Sequence, residues 1–169
     1  MKAGSIIARK YTRRLSAMQT LNDNYLLDIF VPKNNGKTKS TGMLYFDDGE
    51  SFDSTSKDKY SLVEIIFEDG NLSLNVIKSN YISGQSFTID EINLFGVERV
   101  PLRASIEYPS ISSNGREVTM MFDEAAKQIE IRDLNIHMLN DANNGAPILR
   151  VHFTEEGTDN HQTQYREDL

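Results

Sequence analysis

Residues 61–77 read SLVEIIFEDGNLSLNVI, and this stretch decides the fold class. Its first part, 61–67, is rich in β-branched and aromatic side chains, and its last part, 72–77, alternates apolar and polar residues. Between them lies Asp69-Gly70, a dipeptide that favours a tight hairpin turn because both residues tolerate positive φ. The stretch therefore predicts two antiparallel strands joined by a turn.

The same kind of pattern recurs along the chain, where short apolar or alternating runs are bounded by Asn, Asp, Gly and Pro. Further strands are predicted at residues 25–31, 43–46, 87–95, 102–108, 117–122, 128–132, 134–138 and 148–153, with turns at 112–115 and 143–145. About ten short strands with turns every 8–12 residues or so predict an all-β, antiparallel β-sandwich or barrel.

Two segments carry helix signals. Residues 123–128 (DEAAKQ) are good helix formers, but the run is too short to be stable alone and predicts a single turn. In residues 11–22, Leu15, Met18 and Leu21 recur at helical spacing, which leaves a helix and a loop as open alternatives. At most short helical turns are expected.

Composition excludes several classes of protein. The 169 residues suit one domain, and 38% hydrophobic content is enough for a folded core. The chain has no Cys, which excludes disulfides, thiolate nucleophiles and Cys-ligated zinc. No apolar run approaches the roughly 18–20 residues of a membrane span, and the N-terminus has no signal-peptide core. We expect no membrane partner and no cofactor.

The net charge of −7 is unevenly distributed. Residues 1–14 carry five basic side chains and no acid, so the remaining 155 residues sum to −12. An acidic body repels a polyanion, so we expect these basic side chains to be solvated or salt-bridged and the chain to have no nucleic-acid partner. Residues 154–169 carry five acids and almost no apolar side chain, which predicts a polar, disordered tail.

No metal or nucleophile motif is present. The histidines, His137, His152 and His161, are far apart in sequence and form no zinc-binding spacing, so we expect solvent-facing or edge-strand residues and no metal site. There is no Gly-x-Ser-x-Gly motif and no phosphate-binding glycine loop.

The densest acidic patch is residues 47–53 (DDGESFD). Paired carboxylates can catalyse glycoside hydrolysis or bind calcium. In this patch Gly49 is the third residue and not the sixth, as an EF-hand loop requires, so an EF-hand is excluded. Adjacent strand residues point to opposite faces, so Asp47 and Asp48 converge only if a turn redirects one of them. We interpret Asp47, Asp48 and Gly49 as a structural turn in which a carboxylate accepts backbone N–H bonds, with Tyr45 and Phe52 anchoring its flanks in the core. No catalytic residue is assigned.

The same patch carries a family resemblance. Residues 42–53 (GMLYFDDGESFD) resemble a signature near the C-terminus of glycoside hydrolase family 31, the α-glucosidases. Residues 3–9 (AGSIIAR) resemble the family's Gly-Gly-Ser-Ile-Ile-Pro-Arg segment, and residues 13–23 resemble a stretch of its endoplasmic-reticulum glucosidase II α-subunit branch. Residues 92–96 and 128–138 resemble later strands, so the likeness covers roughly residues 2–153. The chain departs from the family pattern at Ala3, Ala8 and Asn24. Each of these residues relaxes a backbone constraint, and none replaces a catalytic residue.

The resemblance implies a distal β-sandwich that follows a catalytic (β/α)8 barrel. Such a barrel needs about 250 residues, so the catalytic aspartates lie elsewhere and this chain alone is expected to be inactive. On this interpretation residues 1–10 end a preceding proximal β domain, 11–153 form the distal sandwich and 154–169 the tail. The chain is expected to be the C-terminal, non-catalytic portion of a longer retaining α-glucosidase.

The resemblance also implies partners and a compartment. They are the barrel of the parent chain, a non-catalytic β-type second subunit and the parent enzyme's carbohydrate substrate, α-linked glucose on N-glycans. The compartment is the endoplasmic-reticulum lumen, where Asn71, the acceptor of the only Asn-x-Ser/Thr sequon, is a predicted glycosylation site.

The alternative is a free-standing carbohydrate-binding sandwich. Such modules stack sugar rings on exposed aromatic side chains. The candidate platforms in this chain are Tyr11, Tyr60, Tyr81, Tyr108 and Tyr165.

Overall fold

The computed structural model describes residues 2–10, 17–33, 38–81, 87–108, 115–139 and 147–154. Within those ranges the chain forms twelve strands and one helical turn. The elements are β1 Ile6–Lys10, α1 Ala17–Thr20, β2 Tyr25–Phe30, β3 Lys39–Phe46, β4 Ser61–Glu68, β5 Asn71–Ser79, β6 Thr88–Phe95, β7 Pro101–Glu107, β8 Arg116–Val118, β9 Met120–Asp123, β10 Gln128–Ile131, β11 Ile136–His137 and β12 Ile148–Phe153.

The strands form two sheets, and the predicted all-β sandwich is confirmed. Sheet 1 has the order β3-β4-β5-β12-β7-β8, with every neighbouring pair antiparallel. Sheet 2 has the order β1-β2-β6-β10-β9, and β11 also pairs with β6. One pair in sheet 2, β2 with β6, is parallel, which the sequence pattern did not predict.

The predicted hairpin is confirmed as β4 and β5. Its register runs from Ser61 opposite Ser79 to Glu68 opposite Asn71. Asp69 has φ 48° and Gly70 has φ 82°, so both turn residues lie in the left-handed region that a tight hairpin turn requires. The Asp69-Gly70 dipeptide therefore forms the predicted hairpin turn.

Two predicted strands differ from those observed. The predicted strand 117–122 is divided at Thr119 into β8, which pairs with β7 in sheet 1, and β9, which pairs with β10 in sheet 2. Val118, Thr119 and Met120 still alternate between apolar and polar across the division, so the pattern gives no sign that the chain changes sheets there. The predicted strand 134–138 is reduced to Ile136–His137. The predicted turn at 143–145 lies outside the described residues, as does most of the one at 112–115.

Within the part of the chain that the structure describes, helical structure is limited to short turns, as expected. Residues 124–127 form a turn between β9 and β10, in which the Asp123 carboxylate accepts a 2.9 Å bond from the Ala126 N–H. In the segment 11–22 one helical turn, α1, is present, while residues 11–16 lie outside the described ranges. Nowhere in the described ranges does a helix have the length and apolar character needed to cross a bilayer.

The core lies between the two sheets. Strand β4 shows how alternation supplies the core. Val63, Ile65 and Phe67 are buried, while the residues between them are half-exposed. Fully burying such a side chain contributes about 1.5–3 kcal/mol. Ile6 of β1 belongs to the same core, although the expected division between residues 1–10 and 11–153 stays a prediction.

An ion pair anchors β1 to β2. The Arg9 guanidinium donates two hydrogen bonds, of 2.6 and 2.9 Å, to the buried Asp28 carboxylate, and Asn93 donates a third at 3.3 Å. The hydrogen bonds from Arg9 to Asp28 raise the pKa of Arg9, which stabilises its charged form. Part of the basic N-terminal stretch is thus engaged in a salt bridge within the sheet.

Candidate functional site

The turn predicted at Asp47, Asp48 and Gly49 follows directly after β3. Gly49 has φ 69°, a conformation that favours glycine. One Asp47 carboxylate oxygen accepts a 2.9 Å bond from the Gly49 N–H, and the other accepts a 2.9 Å bond from the hydroxyl of the buried Ser54. Asp47 therefore ties the turn to the connection that follows it.

Asp48 caps the same turn. Its carboxylate accepts bonds from the Glu50 N–H at 3.1 Å and the Ser51 N–H at 2.8 Å, and also from the Ser51 hydroxyl. These bonds, first that from the Ser51 side chain, lower the pKa of Asp48 to about 2. A general acid near neutral pH needs a raised pKa, so Asp48 is suited to holding the turn and not to donating a proton.

The flanks of the turn differ from the prediction. Tyr45 is half-exposed and stacks on Tyr60, with ring centroids 5.1 Å apart, and its hydroxyl shares a 3.1 Å hydrogen bond with Ser54. The expectation that Tyr45 and Phe52 are anchored in the core is wrong, because Tyr45 is 45% exposed and Phe52 is fully exposed. Residues 51–59 form turns without strand pairing, so no alternation directs the Phe52 ring inwards.

Asn71, the predicted glycosylation site, is the first residue of β5. Its Oδ1 accepts a 2.9 Å bond from Arg150 Nε on β12, and its Nδ2 donates to the carbonyls of Glu68 and Asp69 at 3.4 and 3.2 Å. The side chain thus connects the hairpin turn to a strand about eighty residues later. Glycosylation of Asn71 remains a prediction.

The histidines are not brought together. The ring of His137 contacts the Leu139 carbonyl through Nδ1 at 2.6 Å, and that of His152 lies 3.4 Å from the Ser105 hydroxyl through Nε2. His161 lies outside the described residues. In the described ranges no three His, Asp or Glu side chains are grouped as metal ligands would be.

The candidate aromatic platforms have different surroundings. Tyr81 and Tyr108 pack against the core. Tyr60 is covered on one face by Tyr45, and the Lys78 ammonium lies 4.3 Å from its ring centroid. Tyr11 and Tyr165 lie outside the described residues. No described tyrosine of this set is left as an isolated, open platform.

A cavity of about 300 Å³ lies beside Asn71, and no sequence pattern indicated it. Among its lining residues are Asp69, Arg99, Arg150, His152 and Phe153. These residues come from the β4–β5 turn, the loop before β7 and the end of β12. The pairing of β12 with β5 on one side and with β7 on the other brings them together, so no local motif could have indicated them.

Comparisons with known proteins bear on this geometry. A scan against models of protein families finds no match. A probable glucan 1,3-alpha-glucosidase of Arabidopsis thaliana is 35% identical over 107 residues, which are 63% of this chain and 11% of the relative. Sucrase-isomaltase of Rattus norvegicus is 31% identical over 101 residues, 57% of this chain and 5% of the relative.

Solved structures match over nearly the whole chain. A glucosidase II alpha subunit structure in its DNJ-bound form has a TM-score of 0.65 at 18% identity, covering 91% of this chain and 17% of that one. The GH31 dextranase of Flavobacterium johnsoniae has a TM-score of 0.59 at 16% identity, covering 89% and 19%.

The resemblance to glycoside hydrolase family 31 is confirmed. At identities below one fifth the structural likeness establishes a shared fold, and the curated relatives connect this fold with α-glucosidases. The chain spans between 4% and 12% of the length of the curated family 31 relatives that it matches. The activities of those whole enzymes are therefore not properties observed in this chain.

Proposed function

We propose that this chain is the non-catalytic C-terminal β-sandwich portion of a retaining, family 31 α-glucosidase of the glucosidase II α type. The observation that carries the proposal is the match of 91% of this chain to 17% of a glucosidase II alpha subunit. A segment that matches one sixth of an enzyme at the level of fold is best explained as one of its domains.

The role of the sandwich in this proposal is structural. Asp47 and Asp48, the only adjacent acidic pair in the signature segment, are engaged in hydrogen bonds within their own turn. They are thus positioned as acceptors for backbone and Ser donors and not as an acid and a nucleophile facing a sugar. The catalytic carboxylates would lie on a (β/α)8 barrel elsewhere in the parent chain, against which the sandwich packs.

The proposal extends to the substrate, compartment and second subunit of the parent enzyme. It would remove α-linked glucose from N-glycans in the endoplasmic-reticulum lumen, together with a β-type subunit. Support comes from a matching structure, with a TM-score of 0.63, of a heterodimeric complex of ER glucosidase II catalytic subunit and the binding domain of the regulatory subunit.

A sequon test addresses the compartment. In eukaryotic cells that make the native polypeptide, endoglycosidase treatment should increase its electrophoretic mobility, and Ser73→Ala should abolish the part of the shift due to Asn71. Ser73 completes the sequon but is not a partner in the bond from Arg150 to Asn71 Oδ1, so Asn71 keeps its structural bond in this variant. An identical shift for both proteins would contradict glycosylation at Asn71.

An activity assay tests the function itself. An antibody against the sandwich should precipitate α-glucosidase activity from cell extract, whereas the purified 169-residue chain should hydrolyse no α-glucoside. Hydrolysis by the purified chain that Asp48→Asn abolishes would contradict the non-catalytic role. A precipitate without glucosidase activity would contradict the assignment to a parent enzyme.

A further inference from the structure

The cavity beside Asn71 forms where β12 runs past the end of the β4–β5 hairpin. Strands β12 and β5 pair only at Leu149 and Arg150, and the Val151 N–H then donates a 2.8 Å bond to the carbonyl of Gly70. Beyond this point no strand of the described ranges pairs with β12 on the β5 side. The open cavity of about 300 Å³ lies along this free edge.

One side of the cavity is fixed by a hydrogen-bonded row of polar side chains. Arg150 donates to Asn71 Oδ1 at 2.9 Å and lies 3.3 Å from the Glu107 carboxylate. The charge of Arg150 is thus already balanced, and its guanidinium plane is held in one orientation. A ligand would meet a preformed polar surface here.

Two other charged groups face the same cavity without an ion-pair partner among the described residues. The Arg99 guanidinium lies 4.6 Å from the centroid of the Phe153 ring, and the Asp69 carboxylate accepts one bond, of 3.2 Å, from the Thr38 N–H. One cation and one anion cancel, so the cavity offers donors and acceptors without net charge. A neutral ligand with several hydroxyl groups fits this arrangement better than an anion does.

We propose that this cavity binds one pyranose ring of a neutral sugar, which gives the sandwich a sugar-binding site of its own. The class of ligand follows from the lining, because Arg, Asn, Asp and His side chains suit the paired donors and acceptors of neighbouring sugar hydroxyls. The choice of an α-glucoside rests on the proposed function. A volume of about 300 Å³ is at the lower end for ligand cavities, so the site accepts a single ring.

The test is an NMR titration of the isotope-labelled 169-residue chain with methyl α-D-glucopyranoside. Production in bacteria keeps Asn71 unmodified. Amide shifts should saturate at residues 69–71 and 150–154 and leave the Asp47–Asp48 turn unchanged. Arg99→Ala should weaken binding at least tenfold, because it removes the one lining cation that has no ion-pair partner among the described residues.

Arg103→Ala is the matched control, since Arg103 is exposed on sheet 1, does not line the cavity and carries the same charge. It should bind the glucoside as the unmodified chain does. Asp69→Asn is a second test, because Asn also tolerates the positive φ of the turn while the charge is lost. It should also weaken binding.

Three outcomes would overturn the proposal. The first is the absence of saturable shifts, and the second is equal binding by Arg99→Ala and Arg103→Ala. The third is binding of sulfate but not of the glucoside, which would make the cavity an anion site. None of them affects the glucosidase assignment, which is tested by precipitated activity and not by sugar binding to the isolated chain.

Discussion

Two Asp-Gly dipeptides in this chain make turns of the same sheet, yet their surroundings differ. Asp69-Gly70 joins β4 to β5 directly, and a Cβ added to Gly70 would lie 2.5 Å from the Val151 carbonyl and 3.1 Å from the Phe153 ring. Asp48-Gly49 begins a longer connection from β3 to β4, and a Cβ added to Gly49 would meet nothing within 4 Å. The dipeptide predicts the turn in both places, but contacts with other strands decide how tightly each turn is packed.

The same contrast applies to function. The Asp48-Gly49 turn carries the family signature, and its polar groups are engaged with each other. The Asp69-Gly70 turn carries no signature, but it lies beside the cavity and against β12. A sequence motif here marks a local structure, whereas the candidate binding site arises from long-range contact.

The largest expected effect is that of Gly70→Ala. A positive φ disfavours Ala, and its Cβ would overlap a backbone carbonyl that cannot move without β12. The two costs together predict a loss of roughly 3 kcal/mol in the free energy of unfolding. Urea denaturation measures it, and a loss no larger than that of Gly49→Ala would remove the distinction between the turns.

Asn71→Ala should have the next largest effect. It removes the acceptor of the Arg150 bond that connects the hairpin to β12, so we expect a loss of about 1.5 kcal/mol. Asn75→Ala is the control, since Asn75 lies on the same strand, is exposed and donates only a 3.3 Å bond to Glu64. Equal thermal midpoints for the two variants would show that the Asn71–Arg150 bond contributes nothing.

Gly49→Ala should cost about 1 kcal/mol, because only the positive φ is unfavourable and there is space for the methyl group. Gly49→Val should cost more, since a β-branched side chain tolerates this conformation less well. Both values come from the same urea series as Gly70→Ala. An equal loss of stability for Gly49→Ala and Gly70→Ala would contradict the open space around Gly49.

The smallest effect is the pH dependence due to Asp48. Its folded-state pKa of about 2 lies below the ordinary 3.8, so its contribution is present above the ordinary value and is lost as pH falls through the folded value. The stability advantage of the unmodified chain over Asp48→Asn should therefore shrink between about pH 4 and pH 2. Urea midpoints of both proteins at several pH values measure it, and a constant difference would contradict the pKa assignment.

Much of the fold follows from local pattern. The alternation in 72–77 and the β-branched run in 61–67 predict β4 and β5, because side-chain period and turn chemistry act over a few residues. The division of 117–122 between two sheets and the parallel pairing of β2 with β6 could not be predicted. Both depend on which strands pair in space, and strand pairing is not encoded in the hydrophobic periodicity of the sequence.

Part of the candidate site could likewise be predicted from the sequence, and part of it could not. The turn at Asp47, Asp48 and Gly49 was interpretable because its hydrogen bonds join residues two or three positions apart. The exposure of Phe52 was predicted wrongly, since an aromatic residue outside a strand has no alternation to orient it. The cavity of Asp69, Arg99 and Arg150 was invisible in the sequence, because its members come from three separate segments.

The central claim is that this sandwich is part of a larger α-glucosidase, and the mass of the native polypeptide tests it most directly. An immunoblot of cell extract with an antibody raised against this chain should show a band several times heavier than 19.2 kDa. A single band at 19.2 kDa would contradict the claim and would favour the alternative, a free-standing carbohydrate-binding sandwich.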